Sequence, residues 1–327
     1  MKKMSTTYGG ETAYTLKDIS ENSGIPVSRL RRHIQEGKLK IHCKTSTYGY
    51  IVLQSEVIPY LSEYAKPAEQ EMWERLEKEE QVVEPVEPVE PVKVLSIDWD
   101  YFIKATADER EFMFPDGGNE NLPESVQSTV WASYYGNPQY SLESIKVDKE
   151  ALKMLRFLLS KQDVKNPPVM KVTDSHKWAY EFIQSHLKTP QQPIVLYNVD
   201  YHHDIYDIPG SNEVDCGNWL RKLCEYSNVD AYWVAREDSD PESESQEPLP
   251  RATLEDIMNT QFDMVFICRS GMWSPPHLDL EFIRLVSPYV HKWGASVEDA
   301  VLKSRYSVEF KRAVTAYKSQ LKHLGVL

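Results

Sequence analysis

Three tandem Glu-Pro-Val units, Glu84-Pro85-Val86, Glu87-Pro88-Val89 and Glu90-Pro91-Val92, break the chain in two. Each proline fixes its own φ, lacks an amide hydrogen and drives the residue before it into extended geometry, so helix cannot run through the segment. These nine residues read as a stiff, polyproline-like spacer about 28 Å long. Just upstream, Pro67 to Glu80 is rich in helix formers, with Glu71 and Glu74 four residues ahead of Arg75 and Lys78, and reads as an exposed helix. The expected organisation is a small domain over 1–66, a helical segment and linker over 67–92, and a larger domain over 93–327.

Charge divides at the same place. The chain of 327 residues carries a net −13, yet residues 1–66 hold ten Lys and Arg against six Asp and Glu. The head is therefore +4 and the rest −17, an asymmetry that suggests two jobs. With 41% hydrophobic residues there is material for a sizeable core. No apolar run approaches the ~18 residues of a membrane span, so an integral membrane protein is not expected. No apolar stretch follows Met1-Lys2-Lys3, and the four cysteines form no C-x-x-C pair. A secreted disulfide scaffold and a zinc ribbon are thus disfavoured, and a cytoplasmic location is expected. A second acidic stretch, Glu237 to Pro250, is too polar to bury and reads as a surface loop.

In the head, Leu16-Lys17-Asp18-Ile19-Ser20 opens a helix that stops at Gly24. A second helix, Val27 to Glu36, starts after Pro26, with Val27, Leu30 and Ile34 on one face and Arg29, Arg31, Arg32 and His33 elsewhere. Leu39-Lys40-Ile41 and Tyr48 to Val52 read as two strands of a wing, followed by a helix from Ser55. Over Tyr14 to Tyr60 this order resembles the excisionase and MerR-type winged helix-turn-helix family. The resemblance implies that Ser28, Arg29, Arg31 and Arg32 lie in or near a DNA major groove, with Lys44 at phosphates. A folding module reused to bind protein, such as a leader peptide, is the other reading, because fold does not decide function and a charge of +4 is modest.

In the body, five apolar runs read as buried strands: Val92–Ile97, Val169–Val172, Ile194–Val199, Ala231–Ala235 and Met264–Cys268. Helical stretches at Lys149–Ser160, His176–His186, Asn218–Tyr226 and Leu278–Val286 alternate with or follow them. The expected fold class is α/β, a mostly parallel sheet flanked by helices, with ligands beyond the carboxyl ends of the strands. The residues there carry chemistry. The first strand runs into Ser96-Ile97-Asp98-Trp99-Asp100, the third into Asp200-Tyr201-His202-His203-Asp204, and the second is followed by Asp174-Ser175-His176. Residues two apart in extended chain point the same way, which groups Asp98 with Asp100, and Asp200 with His202 and Asp204. Carboxylates so grouped need a cation, because like charges at one buried place are otherwise prohibitive. A lone D-x-D is common and usually structural, and His202 alone could be a core histidine. Two such motifs at the ends of parallel strands are harder to explain blandly.

This constellation resembles the ureohydrolase superfamily of arginases, agmatinases and the related histone deacetylases. Asp200, His202 and Asp204 match its D-A-H-x-D motif, with Tyr201 in place of Ala. Ser96, Asp98 and Asp100 match S-x-D-x-D, and His176 is a loose counterpart of the histidine in G-G-D-H, without the glycines. The order of the motifs is permuted. The Leu95–Phe102 run and Gly217-Asn218-Trp219 resemble the branch that includes peptide arginases, over residues 93–290. That resemblance implies a dinuclear Mn²⁺ centre, two ions per chain. One ion would be held by His176, Asp200, Asp204 and Asp98, the other by His202, Asp200, Asp98 and Asp100, with Asp98 and Asp200 bridging. It implies a hydrolase that attacks the guanidinium of an arginine-containing peptide, leaves ornithine and releases urea. A mononuclear, deacetylase-like Zn²⁺ site built from Asp200, His202 and one of Asp98 or Asp100 is the narrower alternative. A DNA-binding regulator whose body senses a metal or small molecule is another.

Other polar residues carry weaker signals. His277 could shuttle protons to a leaving amine, or be a surface histidine in a proline-bounded loop. Asp207, Glu213 and Asp215 could each pair with a guanidinium. His203 alternates away from the ligand row, and Trp131, Tyr134 and Tyr135 are more simply core than a substrate platform.

Overall fold

The chain divides inside the Glu-Pro-Val repeat, into Met1–Pro88 and Val89–Leu327. The computed structural model describes residues 6–8, 11–45, 49–70, 90–115, 122–206, 213–239 and 249–325. Most of the repeat, the expected helix beyond residue 70, Asp207 and most of the second acidic stretch lie outside them.

The first unit is built on an antiparallel sheet of β1 (Thr6–Tyr8), β2 (Glu11–Thr15), β3 (Cys43–Thr45) and β4 (Gly49–Leu53), in the order β1-β2-β4-β3. Helix α1 (Leu16–Ser23) begins with a capping box between Thr15 and Asp18 and ends at Gly24, whose φ of 75° is the left-handed geometry glycine adopts freely. Helices α2 (Val27–Gln35) and α3 (Gln54–Tyr64) complete it around Tyr14, Ile19, Ile25, Leu30, Val52 and Val57. The expected strand at Leu39–Ile41 is corrected: Leu39 fills the core, and pairing starts four residues later at Cys43. Strands β1 and β2 are Thr-rich segments without apolar alternation, held by ladder hydrogen bonds, and nothing in their sequence announced them.

In the second unit seven parallel strands form one sheet. They are β5 (Val92–Asp98), β6 (Val169–Thr173), β7 (Ile194–Val199), β8 (Val229–Val234), β9 (Arg251–Ala252), β10 (Met264–Cys268) and β11 (Ser296–Val297). Their order is β9-β8-β7-β5-β10-β6-β11. The two-residue edge strands are too short to read from sequence. Alternate side chains leave the sheet on opposite faces. Leu95, Ile97, Val265 and Ile267 pack with α6 (Lys149–Ser160) and α9 (Asp279–Trp293); Val94, Leu196 and Phe266 pack with α7 (Trp178–His186) and α8 (Trp219–Tyr226). Full burial of each such side chain contributes about 1.5–3 kcal/mol, which is why the central strands are largely apolar on both faces. Register puts the strand ends level: Ile97 pairs with Val199, Asp98 with Cys268, and Cys268 with Thr173. No helix among the described residues is long and apolar enough to cross a membrane.

Beyond β10 a buried ion network closes the carboxyl edge. Arg269 donates to Asp174 at 2.7 Å, and Arg305 donates to Asp279 at 2.7 and 3.0 Å. Both guanidinium groups and Asp279 are buried, so removing Asp279 strands the Arg305 charge and leaves Arg269 with Asp174 alone. Asp279→Ala is expected to lower stability by about 3–5 kcal/mol, read by chemical denaturation; a loss under about 1 kcal/mol would contradict this account.

Candidate metal centre

Strand β5 ends at Asp98 and passes at once into a 3₁₀ turn, Trp99–Phe102, whose first amides bend back: Asp100 N–H donates to Asp98 Oδ1 at 2.9 Å. Beyond β7 the same device recurs, with His202 N–H donating to Asp200 Oδ1 at 2.8 Å. The chain then takes a positive φ of 56° at Asp204, conformationally costly for a residue other than glycine, and so turns that carboxylate back toward the sheet. These are local turns that the D-x-D and D-x-H-x-D spacings permit. The level strand ends bring them together.

The side chains converge around two imidazoles. His176 Nδ1 lies 3.3 Å from Asp98 Oδ2, 3.2 Å from Asp200 Oδ2 and 3.0 Å from Asp204 Oδ2. His202 Nδ1 lies 3.1 Å from Asp100 Oδ2 and 3.9 Å from Asp200 Oδ1. Two three-residue groups result that could each hold a metal ion, Asp98–His176–Asp200 and Asp100–Asp200–His202. Asp200 belongs to both. All six residues expected from sequence are thus in one place, His176 included. Asp98 and Asp200 each also accept an amide at Oδ1, from Asp100 and His202 respectively, and turn Oδ2 to His176.

The donor set fits a divalent cation. Oxygen and nitrogen ligands about 2.1 Å from an ion and at right angles to one another stand about 3.0 Å apart, close to the spacings around His176 Nδ1. Hard carboxylate oxygens with imidazole suit ions such as Mn²⁺, and no thiolate takes part. Electrostatics agree. Burial, followed by Asp100 and Asp200, pushes Asp98 up to about 7; burial, followed by Asp204 and Asp100, pushes Asp200 up to about 8. Burial also works to raise Asp100, but the His202 and Arg110 charges outweigh it and hold Asp100 at about 2. Burial opposes charging of His202, yet Asp100 lifts it to about 9, and Asp204 with Asp200 lifts His176 well above its ordinary value.

A surrounding layer orients the ligands, and most of it was not foreseen. Ser96 Oγ lies 2.7 Å from His176 Nε2, which leaves Nδ1 facing the carboxylates. Asn198 donates to Asp200 Oδ2 at 3.2 Å, and Trp219 Nε1 donates to Asp204 Oδ2 at 2.5 Å. Arg110, on α4 (Ala107–Met113), donates to the carbonyls of Asp100 and Ile103 at 3.0 and 2.9 Å and stacks 3.7 Å over the Tyr201 ring. Ser96 and Trp219 lay inside quoted motifs; Arg110 carried no signal, because its partners are backbone carbonyls.

Other expected residues fall elsewhere. At His277, Nε2 donates to the Ile145 carbonyl at 2.9 Å, so Nδ1 accepts from the Tyr135 hydroxyl at 2.5 Å, and burial lowers its pKa. With both nitrogens engaged in an aromatic nest, it makes no contact with the cluster. Asp215 caps the turn before α8 through the amides of Gly217 and Asn218. His203 is buried against Tyr206 and Trp233, off the ligand row as expected. In the first unit Arg29 is tied to Glu69 at 2.8 Å and to the Tyr64 carbonyl at 2.6 Å. Ser28, Arg31 and Arg32 are exposed on α2, and Lys44 lies on β3, its side chain outside the described residues.

Two outcomes are expected. Protons compete with the ion for Asp98, Asp200 and the two imidazoles, so Mn²⁺ affinity rises with pH, by at least about tenfold from pH 6 to 8, with proton release seen by calorimetry in two buffers. A flat profile would contradict the ligand set. Ser96→Ala should weaken Mn²⁺ binding by about 10- to 100-fold in the same titration, whereas unchanged affinity would remove Ser96 from its orienting role. No family model matches the chain, and no curated protein and no solved structure matches it.

Proposed function

We propose that the second unit is a hydrolase of the arginase type that uses two Mn²⁺ ions to convert arginine side chains of a peptide to ornithine, with release of urea. The observation that supports this most is the pair of ligand groups sharing Asp200, built from carboxylate oxygen and imidazole nitrogen alone. Asp98, Asp200, Asp204 and His176 would hold one ion, and Asp100, Asp200 and His202 the other. Bound together, such ions supply a Lewis-acid centre that makes a water nucleophilic near neutral pH and is suited to attack at a guanidinium carbon. Around them Ser96 holds the His176 ring, Trp219 holds the Asp204 carboxylate, and Arg110 holds the Asp100 turn. The net charge of −17 beyond residue 66 favours approach of a cationic substrate. The first unit, read as a winged helix-turn-helix module, would grip the rest of the peptide through the exposed Arg31 and Arg32, while its DNA-binding use is the regulator alternative.

Purified full-length protein should carry about two manganese ions per chain and release urea from arginine-containing peptides. Asp200→Asn and His202→Ala should lose both metal and turnover, and Arg31→Ala with Arg32→Ala should raise KM for long peptides only. Two bound manganese ions with no urea from any arginine peptide would sink this reading. One zinc per chain with amide hydrolysis would favour the deacetylase-like alternative instead.

A further inference from the structure

Five residues of the centre are between 0 and 4% exposed, whereas the His202 side chain is 27% exposed, so the centre opens to solvent at that ring. Two half-buried aromatic rings adjoin it, Tyr201 with its centroid 5.2 Å away and Trp273 at 5.1 Å. Tyr201 is already engaged, with the Arg110 guanidinium on its face and its hydroxyl donating to the Asp238 carbonyl at 3.1 Å. No cation of the described residues lies over Trp273. The turn that carries it is firmly held. Ser270 adopts a φ of 55°, and the Trp273 amide donates to the Ser270 carbonyl at 2.9 Å. Arg305 donates to the carbonyls of Gly271 and Ser274, and Trp131 Nε1 donates to Gly271 at 2.8 Å. A Cβ at Gly271 would collide with the Gln127 side-chain oxygen and lie 2.8 Å from the Asp174 carboxylate, so a larger residue there would have to displace both side chains.

We propose that Trp273 is the face on which the cationic side chain of the substrate stacks, and that it selects a planar guanidinium over an alkylammonium. A guanidinium is flat and weakly hydrated, so it lies on an indole while its edge still presents N–H donors to nearby carboxylates. A lysine ammonium is a compact and strongly hydrated point charge, and it gives up more water for the same contact. Because the Ser270–Ser274 turn is fixed by Arg305 and Trp131, the ring is set before the substrate arrives, and little ordering opposes binding. The inference deepens the arginase-type reading and rests on it for the substrate class.

The test uses full-length, manganese-loaded protein titrated calorimetrically with N-acetylarginine amide and N-acetyllysine amide, fast binding heats being integrated apart from any slow heat of hydrolysis. Trp273→Leu keeps apolar bulk without a π face, and Trp273→Phe keeps a face. The arginine probe should bind about tenfold tighter than the lysine probe, lose about tenfold in Trp273→Leu and stay within about threefold in Trp273→Phe, with metal content unchanged. Equal affinity for the two probes, no saturable binding by the wild type, no loss in Trp273→Leu, or equal loss in both variants would each overturn the proposal. Urea measured in parallel separates the two ideas. The expected binding pattern without urea removes the hydrolase and keeps the stacking face; urea release with KM unchanged in Trp273→Leu keeps the hydrolase and removes the stacking face.

Discussion

Four carboxylates, those of Asp98, Asp100, Asp200 and Asp204, stand in one dehydrated region at the carboxyl edge of the parallel sheet. Burial disfavours their charged forms, and their mutual repulsion adds to that, as the raised pKa values of Asp98 and Asp200 register. Such a group persists in a folded protein only when positive charge answers it. The His176 and His202 imidazoles and the Arg110 guanidinium answer in part, and divalent cations would answer it fully. Much around the sheet's edge follows from holding this group together, from the short turns after β5 and β7 to the left-handed backbone at Asp204.

The second layer shows how rigidity is shared between polar and apolar parts. His176 is held by Ser96 on one nitrogen and packed between the rings of Phe266, parallel to it, and Trp219. Phe266 belongs to the apolar face of β10, so the same side chain that stabilises the sheet also sets a ligand's orientation. Across the edge, the Arg269–Asp174–Asp279–Arg305 network fixes the turn that brings Trp273 beside His202. Polar networks of this kind are costly if half-satisfied, and Arg305 here has an acceptor for each of its guanidinium nitrogens.

The first unit uses its charge differently from the way a count of residues suggests. Of the three arginines near α2, Arg29 is consumed internally by Glu69 and the Tyr64 carbonyl, joining the second helix to the segment after α3. Arg31 and Arg32 are left on the surface. A basic helix is therefore partly a structural strut, and its capacity to attract a polyanion is smaller than its composition implies.

Local patterning determined a good deal here by itself. Five central strands were legible because burial on both faces requires largely apolar runs, and α6 was legible to its ends because Asp148 caps an amphipathic stretch. The candidate metal-binding residues were legible as D-x-D and D-x-H-x-D clusters after apolar runs, although it is tight turns and a left-handed Asp204, not the extended alternation expected, that gather them. Tertiary structure alone decided the rest. That β10, late in the chain, lies between β5 and β6 is a matter of pairing between remote segments, and no local periodicity encodes it. Arg110, Trp273 and Arg305 act through backbone carbonyls or across long sequence separations, and His277, equally prominent in sequence, is drawn into an aromatic nest instead. Spacing settles which way a side chain points along its own strand; only the packing of distant strands settles what it meets there.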